Sequence, residues 1–128
     1  MLEANRLILD DLEERVDGEL VASRVEGRVV IEAGARLERT TVRGPAMVGA
    51  GSHLVDAYIG PYTAIGENVT IEKAELEHSI VMSGSRIAHV DHRIEASLIG
   101  KDVTIERGPS LPKAYRFVVG DSADVQII

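Results

Sequence analysis

Aliphatic residues return along most of this chain at intervals of five or six residues. Neither a helix, with a period of 3.6, nor a single alternating strand, with a period of 2.0, produces that spacing. Three consecutive intervals most often span 17 residues, which predicts one turn of a three-sided coil with one inward residue on each side. We call these residues anchors; they are Leu20, Val25, Ile31, Leu37, Val42, Val48, Leu54, Ile59, Ile65, Ile71, Leu76, Val81, Ile87, Ile94, Ile99, Ile105 and Leu111.

A second recurring position supports the repeat. Small or β-branched residues follow many anchors by four positions, as expected at a corner with little inward room: Val29, Ala35, Ala46, Ser52, Thr63, Val69, Ser85 and Val103. Glycine directly follows the anchors at Gly49, Gly60, Gly66 and Gly100, which suggests a backbone φ outside the usual range there. Each hexad is therefore predicted to be a short strand plus a turn, and stacked coils would bury aliphatic ladders along the axis.

Composition limits both the core and the function. The 128 residues include no cysteine, no tryptophan, one phenylalanine and three tyrosines, which fits a narrow aliphatic interior and excludes disulfides, thiol catalysis and cysteine-bound zinc. A net charge of −7 argues against nucleic-acid binding and against a polybasic membrane patch. The acidic start and the lack of a long apolar run favour a cytoplasmic protein with no membrane partner.

The first residues follow a different pattern. Leu2, Leu9, Leu12 and Val16 share one helical stripe, and no glycine or proline occurs before Gly18. An amphipathic helix is therefore expected over about 2–15. Its apolar stripe needs a partner, because one short helix cannot bury such a stripe alone.

Three complete hexads carry a family resemblance: 59–64 (IGPYTA), 65–70 (IGENVT) and 99–104 (IGKDVT). They resemble the repeats of hexapeptide-repeat proteins, whose coils form a left-handed parallel β-helix. The fold class this implies is all-β, a left-handed parallel β-helix of about five coils with a short N-terminal α-helix.

Further stretches resemble the C-terminal domain of sugar-1-phosphate nucleotidylyltransferases, most closely the long form of glucose-1-phosphate thymidylyltransferases. They are 1–9 (MLEANRLIL), the pair 76–81 (LEHSIV) and 94–100 (IEASLIG), and 112–121 (PKAYRFVVGD). The resemblance implies a linker helix over 1–19, a β-helix over 20–111 and a closing segment over 112–128. It also implies that the chain begins inside the linker helix and lacks the N-terminal catalytic domain.

That family couples glucose 1-phosphate with dTTP to give dTDP-glucose and pyrophosphate, using Mg²⁺ in the catalytic domain. The G-x-G-T-R-L nucleotide motif of that domain does not occur here, and Gly49-Ala50-Gly51 is interpreted as corner residues. The resemblance therefore implies a non-catalytic domain for oligomerisation or regulation, with no catalytic, cofactor or metal residue in this chain. A homo-oligomer, either a trimer or a dimer, is expected.

The rival hypothesis is a stand-alone acyltransferase that uses acetyl-CoA with a histidine as general base. The candidates are His53, His78, His89 and His92. The last two flank Asp91 in the only seven-residue interval, and these three residues are interpreted as a small solvated loop rather than a metal site. A zinc site of the carbonic-anhydrase kind would need three converging histidines, which these spacings do not offer.

Other charged groups are interpreted as surface features. The adjacent carboxylates Asp10-Asp11 and Glu13-Glu14 point apart on a helix and do not suggest a catalytic dyad. Arg36, Arg39 and Arg43, interleaved with Glu32 and Glu38, are expected to form a mixed ion-pair surface rather than a phosphate site.

Overall fold

The computed structural model describes residues 2–10, 13–107 and 124–125. They form one helix, α1 (Leu2–Asp10), and short strands. The strands are β1 (Arg15–Val16), β2 (Glu19–Val21), β3 (Arg24–Glu26), β4 (Val29–Ile31), β5 (Arg36–Glu38), β6 (Thr41–Arg43), β7 (Ala46–Val48), β8 (His53–Val55), β9 (Tyr58–Ile59), β10 (Thr63–Ile65), β11 (Thr70–Glu72), β12 (Glu75–Glu77), β13 (Ile80–Val81), β14 (Arg86–Ala88), β15 (Ile94–Glu95), β16 (Leu98–Ile99) and β17 (Thr104–Glu106).

Every third strand belongs to the same sheet, so the chain winds around a three-sided prism. Face 1 has the strand order β1-β4-β7-β10-β13-β16, face 2 has β2-β5-β8-β11-β14-β17, and face 3 has β3-β6-β9-β12-β15. All strand pairs are parallel, and in the central coils partners lie 17 residues apart, as Arg36 pairs with His53. The parallel β-helix of about five coils is thereby confirmed. Its left-handedness stays a prediction.

The core consists of the anchors and the small corner residues. From Ile31 to Ile87 every anchor is at most 1% exposed, and all eight small residues predicted for the corners are buried. Anchors near the ends are less well covered, since Val25, Ile94 and Ile105 are half-buried and Leu20 is 37% exposed. Stacked aliphatic side chains thus fill the described interior, which explains how the chain folds with so few aromatics.

The glycines that follow anchors serve a different purpose from the one expected. Their φ is not positive; at Gly49 an added Cβ would lie 2.5 Å from the backbone of Gly66 in the next coil. The close approach of two coils therefore requires glycine there. Left-handed φ values occur elsewhere, including a column of stacked corner residues that are not glycine: Ala22, Arg39, Asp56, Lys73 and His89.

The helix is shorter than the expected span of about 2–15. It covers Leu2–Asp10, and Arg15 and Val16 instead form β1 and pair with Val30 and Ile31. Pairing with the next coil requires an extended backbone, and this overrides the helical pattern. The prism consequently begins before Leu20.

Helix α1 packs on this chain. Leu9 is 1% exposed, and Asn5 Nδ2 donates a hydrogen bond to the Tyr62 carbonyl oxygen at 3.2 Å. Tyr62 directly precedes β10 of face 1, so the part of α1 around Asn5 lies beside the fourth coil, three coils above β1. No helix among the described residues is long and apolar enough to span a membrane.

Asp11, Leu12 and Leu111 lie outside the described residues, as does the expected closing segment over 112–128 apart from Asp124 and Val125.

Candidate functional site

The outward positions of face 1 differ from those of the other two faces. Apolar side chains occupy this row in successive coils, from buried Val30 to Leu98, which is 48% exposed. Arg15 alone begins the row with a charge. The row consists of Arg15, Val30, Met47, Ala64, Ile80 and Leu98. From Val30 onward each row residue follows the small corner residue of one hexad and directly precedes the next anchor, so the row could have been found by that spacing but was missed.

Faces 2 and 3 carry ion pairs that connect neighbouring coils. On face 2, Arg36 Nε lies 2.6 Å from Glu38 Oε1, and its Nη1 lies 3.2 Å from Glu19 Oε2 in the coil below. On face 3, Arg43 Nε lies 3.2 Å from Glu26 Oε2. These pairs are exposed, so each contributes little to stability. Together they produce a surface whose charges are balanced locally.

The corner between faces 2 and 3 holds a bidentate pair. Arg39 Nε and Nη2 donate to the two carboxylate oxygens of Asp56, at 2.7 and 3.3 Å. The hydrogen bond from Arg39 lowers the pKa of the Asp56 carboxyl below its usual value. The hydrogen bond from Arg36 likewise lowers the pKa of Glu38. Arg36, Arg39 and Arg43 are thus all engaged by carboxylates, as the ion-pair interpretation expects.

Tyr58 on face 3 interacts with two arginines. The guanidinium carbon of Arg93 lies 5.0 Å from its ring centroid and that of Arg43 lies 5.9 Å away, both within cation–π range. Arg93 also binds Glu75 at 2.9 Å and Glu77 at 3.1 Å. Beside Tyr58 is a shallow depression of about 470 Å³, lined by Arg39, Asp56, Ala57, Tyr58, Lys73, Ala74, Glu75 and Val90.

The four histidines have different surroundings. His53 Nε2 is 3.9 Å from Glu38 Oε1, and His89 Nε2 is 3.9 Å from Glu72 Oε2. His78 is half-buried at a corner, where its ring lies 6.1 Å from that of Tyr62. His92 is exposed in the bend expected for the seven-residue interval.

The remaining candidates show no convergence on a metal or a reacting group. Asp91 forms an ion pair with Arg107 at 3.1 Å. Within residues 2–10, 13–107 and 124–125, no three His, Asp or Glu side chains come close enough to hold a metal ion. Glu13 and Glu14 are exposed next to β1, whereas the side chain of Asp10 and all of Asp11 lie outside the described part.

A parallel β-solenoid built from hexapeptide repeats is the class that this fold defines. Within it, the chain is similar to the C-terminal part of glucose-1-phosphate thymidylyltransferases. It is 45% identical to the enzyme of that name from Streptomyces antibioticus over 128 residues, and 45% identical to the one from Streptomyces griseus over 129 residues. It is 34% identical over 131 residues to the low-salt glycan biosynthesis nucleotidyltransferase Agl11 of Haloferax volcanii.

These matches cover 99% of this chain but only 36% of each relative. The chain therefore spans about a third of the length of the curated relatives it matches. No family model matches the chain.

Proposed function

We propose that this chain is the C-terminal β-helix domain of a cytoplasmic glucose-1-phosphate thymidylyltransferase-like enzyme, and that the domain is itself non-catalytic and holds subunits together in a homo-oligomer. The observation that carries the proposal is 45% identity over nearly the whole chain to two proteins named as such enzymes. The reaction of the parent enzyme would join glucose 1-phosphate and dTTP, with Mg²⁺ held in a separate catalytic domain.

The surface chemistry supports a non-catalytic role. Nucleotidyl transfer needs positioned cations to stabilise the charge that develops on phosphoryl oxygens. Four arginines of this chain each bind a carboxylate of the same chain: Arg36, Arg39, Arg43 and Arg93. Their charges are therefore already balanced and do not form a site for phosphoryl oxygens. The depression beside Tyr58 is shallow and has both signs of charge on its rim.

Two assays run side by side test the non-catalytic role. The chain is incubated with dTTP, glucose 1-phosphate and Mg²⁺ while pyrophosphate is measured, with a full-length thymidylyltransferase as positive control. In parallel, thiol release is measured from acetyl-CoA with amino sugars as acceptors. We expect neither product above background.

Either product would overturn the proposal in an identifiable way. Pyrophosphate release would place catalysis in this chain. Thiol release that is lost in His53→Ala or His78→Ala would make the chain an acyltransferase with that histidine as its general base. His89→Ala and His92→Ala are measured in the same assay, so that a loss confined to one of the four variants identifies the base.

The assembly role has its own test. Sedimentation equilibrium at micromolar concentrations is expected to give a mass above the 13.8 kDa of one chain. A monomeric mass at every concentration would contradict the assembly role. The two assays would then still decide whether the chain is catalytic.

A further inference from the structure

The first coil, which we call the end coil (β1, β2 and β3), exposes residues that point toward the prism axis. Val16 is 47% exposed and Leu20 is 37% exposed, whereas Ile31 and Leu37, stacked directly above them, are fully buried. Repeat proteins generally need a polar capping layer at such an end to stay soluble. The end coil instead presents apolar side chains that another layer would cover.

The backbone of the end coil is open on the same side. Its three strands occupy the terminal positions of their sheets, so each pairs with a strand on one side only within the described residues. Such edges readily accept strands from another chain. The part of α1 around Asn5 lies beside the fourth coil, because Asn5 donates a hydrogen bond to the Tyr62 carbonyl oxygen beside β10.

We propose that the end coil binds the end coil of a second copy, in a head-to-head dimer whose two-fold axis crosses face 2. This inference rests on the proposed assembly function and specifies its interface. In this arrangement β2 lies antiparallel to its own copy, while β1 lies antiparallel to β3 of the partner. Leu20 then meets the partner's Leu20, and Val16 meets the partner's Val25, which closes the core across the contact.

Charge complementarity selects this arrangement. With the inward residues opposite one another, Arg15 lies beside the partner's Glu26 and Asp17 lies beside the partner's Arg24. Opposite charges therefore meet at four places around the dimer. Within one chain these groups already pair along the edge, Arg15 with Asp17 at 2.6 Å and Arg24 with Glu26 at 3.8 Å, so the partner's charges would extend the same networks.

The two alternative axes place like charges together. An axis through face 1 sets Glu19 against the partner's Glu26, and an axis through face 3 sets Asp17 against the partner's Glu19. Each alternative keeps opposite charges at only two places, Arg15 with Asp17 or Arg24 with Glu26, and adds like charges at two others. Like charges directly opposite each other in paired strands are destabilising. The sequence of the end coil thus favours one dimer geometry over the other two.

The first experiment measures mass by sedimentation equilibrium over a range of concentrations. We expect the wild-type chain to reach twice its 13.8 kDa and the variant Leu20→Glu to remain a monomer. The matched control is Leu98→Glu, which replaces a leucine of similar exposure, 48%, on face 1 far from the end coil. This control is expected to dimerise like the wild type.

A charge exchange tests the pairing itself. Arg24→Asp is expected to raise the dissociation constant about tenfold, because an exposed ion pair is lost at two symmetric places. Adding Asp17→Arg to that variant restores the opposite charges in reversed order and is expected to recover most of the affinity. No recovery in the double variant would contradict the face 2 axis.

A cross-linking experiment exploits the absence of cysteine. In Leu20→Cys the new thiol faces its own copy at the two-fold axis, so mild oxidation is expected to give a covalent dimer, whereas Leu98→Cys is expected to give little.

The outcomes separate this inference from the function on which it rests. An oligomer that persists in Leu20→Glu would overturn the end-coil interface and leave the assembly role intact. A wild-type chain that is monomeric at every concentration would overturn both.

Discussion

Buried hydroxyl groups join neighbouring coils at the corners. The Ser52 hydroxyl donates to the Gly66 carbonyl oxygen at 2.8 Å and accepts from the Val69 amide at 3.1 Å. Ser85 repeats this arrangement two coils further along, with Gly100 and Val103. A small polar residue at a corner therefore both fits the narrow space and satisfies backbone groups of the next coil.

Thr63 is the exception among the described residues and gives the first prediction. It is fully buried and its hydroxyl oxygen has no hydrogen-bond partner. Thr63→Val keeps the shape and removes the unpaired hydroxyl, so we expect the free energy of unfolding in urea to stay equal or rise by about 1 kcal/mol.

The same change at Thr40 is the matched control. Thr40 is also buried, but its hydroxyl donates to the Glu38 carbonyl oxygen at 2.9 Å and lies 3.4 Å from the Ala57 amide. Thr40→Val should therefore cost about 1–3 kcal/mol, because a backbone amide loses its acceptor. Equal losses at the two sites would show that the Thr63 hydroxyl has a partner.

The Arg39–Asp56 pair predicts a contribution to acid sensitivity. Its hydrogen bond lowers the pKa of Asp56 in the folded chain, so the carboxylate stabilises the fold above the unfolded-state pKa. That contribution is lost as the pH falls through the lowered folded-state pKa. Thermal melting of Asp56→Asn between pH 7 and pH 2 should show a smaller decrease in midpoint than the wild type.

Glu67→Gln is the control for that experiment, since Glu67 is exposed and forms no ion pair within the described part of the chain. It should retain the wild-type pH dependence. If the melting midpoint of Asp56→Asn depends on pH in the same way as that of the wild type, the Arg39–Asp56 pair does not stabilise the fold. The effect is expected to be small because both side chains are largely exposed to solvent.

At the scale of the strand and turn, two glycines that follow anchors are predicted to respond differently to the same change. A Cβ at Gly49 would meet the backbone of Gly66 at 2.5 Å, whereas a Cβ at Gly100 would have only Val103 Cγ2 nearby, at 3.9 Å. Gly49→Ala should lower the free energy of unfolding by about 1–3 kcal/mol through forced separation of the coils. Gly100→Ala should leave it unchanged or raise it by about 0.4–1 kcal/mol.

Equal effects of the two alanines, measured by urea unfolding, would contradict the close approach of coils at Gly49.

An inward anchor gives a stronger test of the strand assignment. Ile65 in β10 is 1% exposed, so Ile65→Asp buries an unpaired carboxylate and should cost several kcal/mol, enough to unfold a small domain. Thr104→Asp, at an exposed outward position of β17 beside Arg86, should melt near the wild-type temperature. An unchanged melting temperature for Ile65→Asp would refute the inward placement.

Physical causes at this scale determine which features of the fold could be predicted from the sequence. Anchors such as Leu54 and Ile71 were predictable, because stacking forces the same residue type to recur in every coil. The residue at which α1 ends could not be predicted. The helix stops short because Val16 pairs with Ile31, and this pairing involves a residue distant in the sequence. The exposed end coil was also missed, since Leu20 has the same local pattern as anchors that are buried from both sides.

At the scale of the whole molecule, each coil contacts mainly the coils above and below it. A middle coil has both neighbours, as when the His53 amide donates to Val69 while the Asp56 amide donates back to Glu38. The end coil has one neighbour, and its Glu19 and Arg24 amides donate to Ala35 and Thr40 of the second coil. Local opening should therefore cost least free energy at the end coil.

Amide hydrogen exchange can test both the low cost of opening the end coil and the proposed dimer. At low protein concentration the amides of Glu19 and Arg24 should exchange faster than those of His53 and Tyr58, which lie in the third coil. Raising the concentration should slow exchange at Glu19 and Arg24, because a second copy would stabilise the end coil, and should leave His53 and Tyr58 unchanged. Exchange at the end coil that stays independent of concentration would show that this edge remains unpaired, even in a chain that associates through another face.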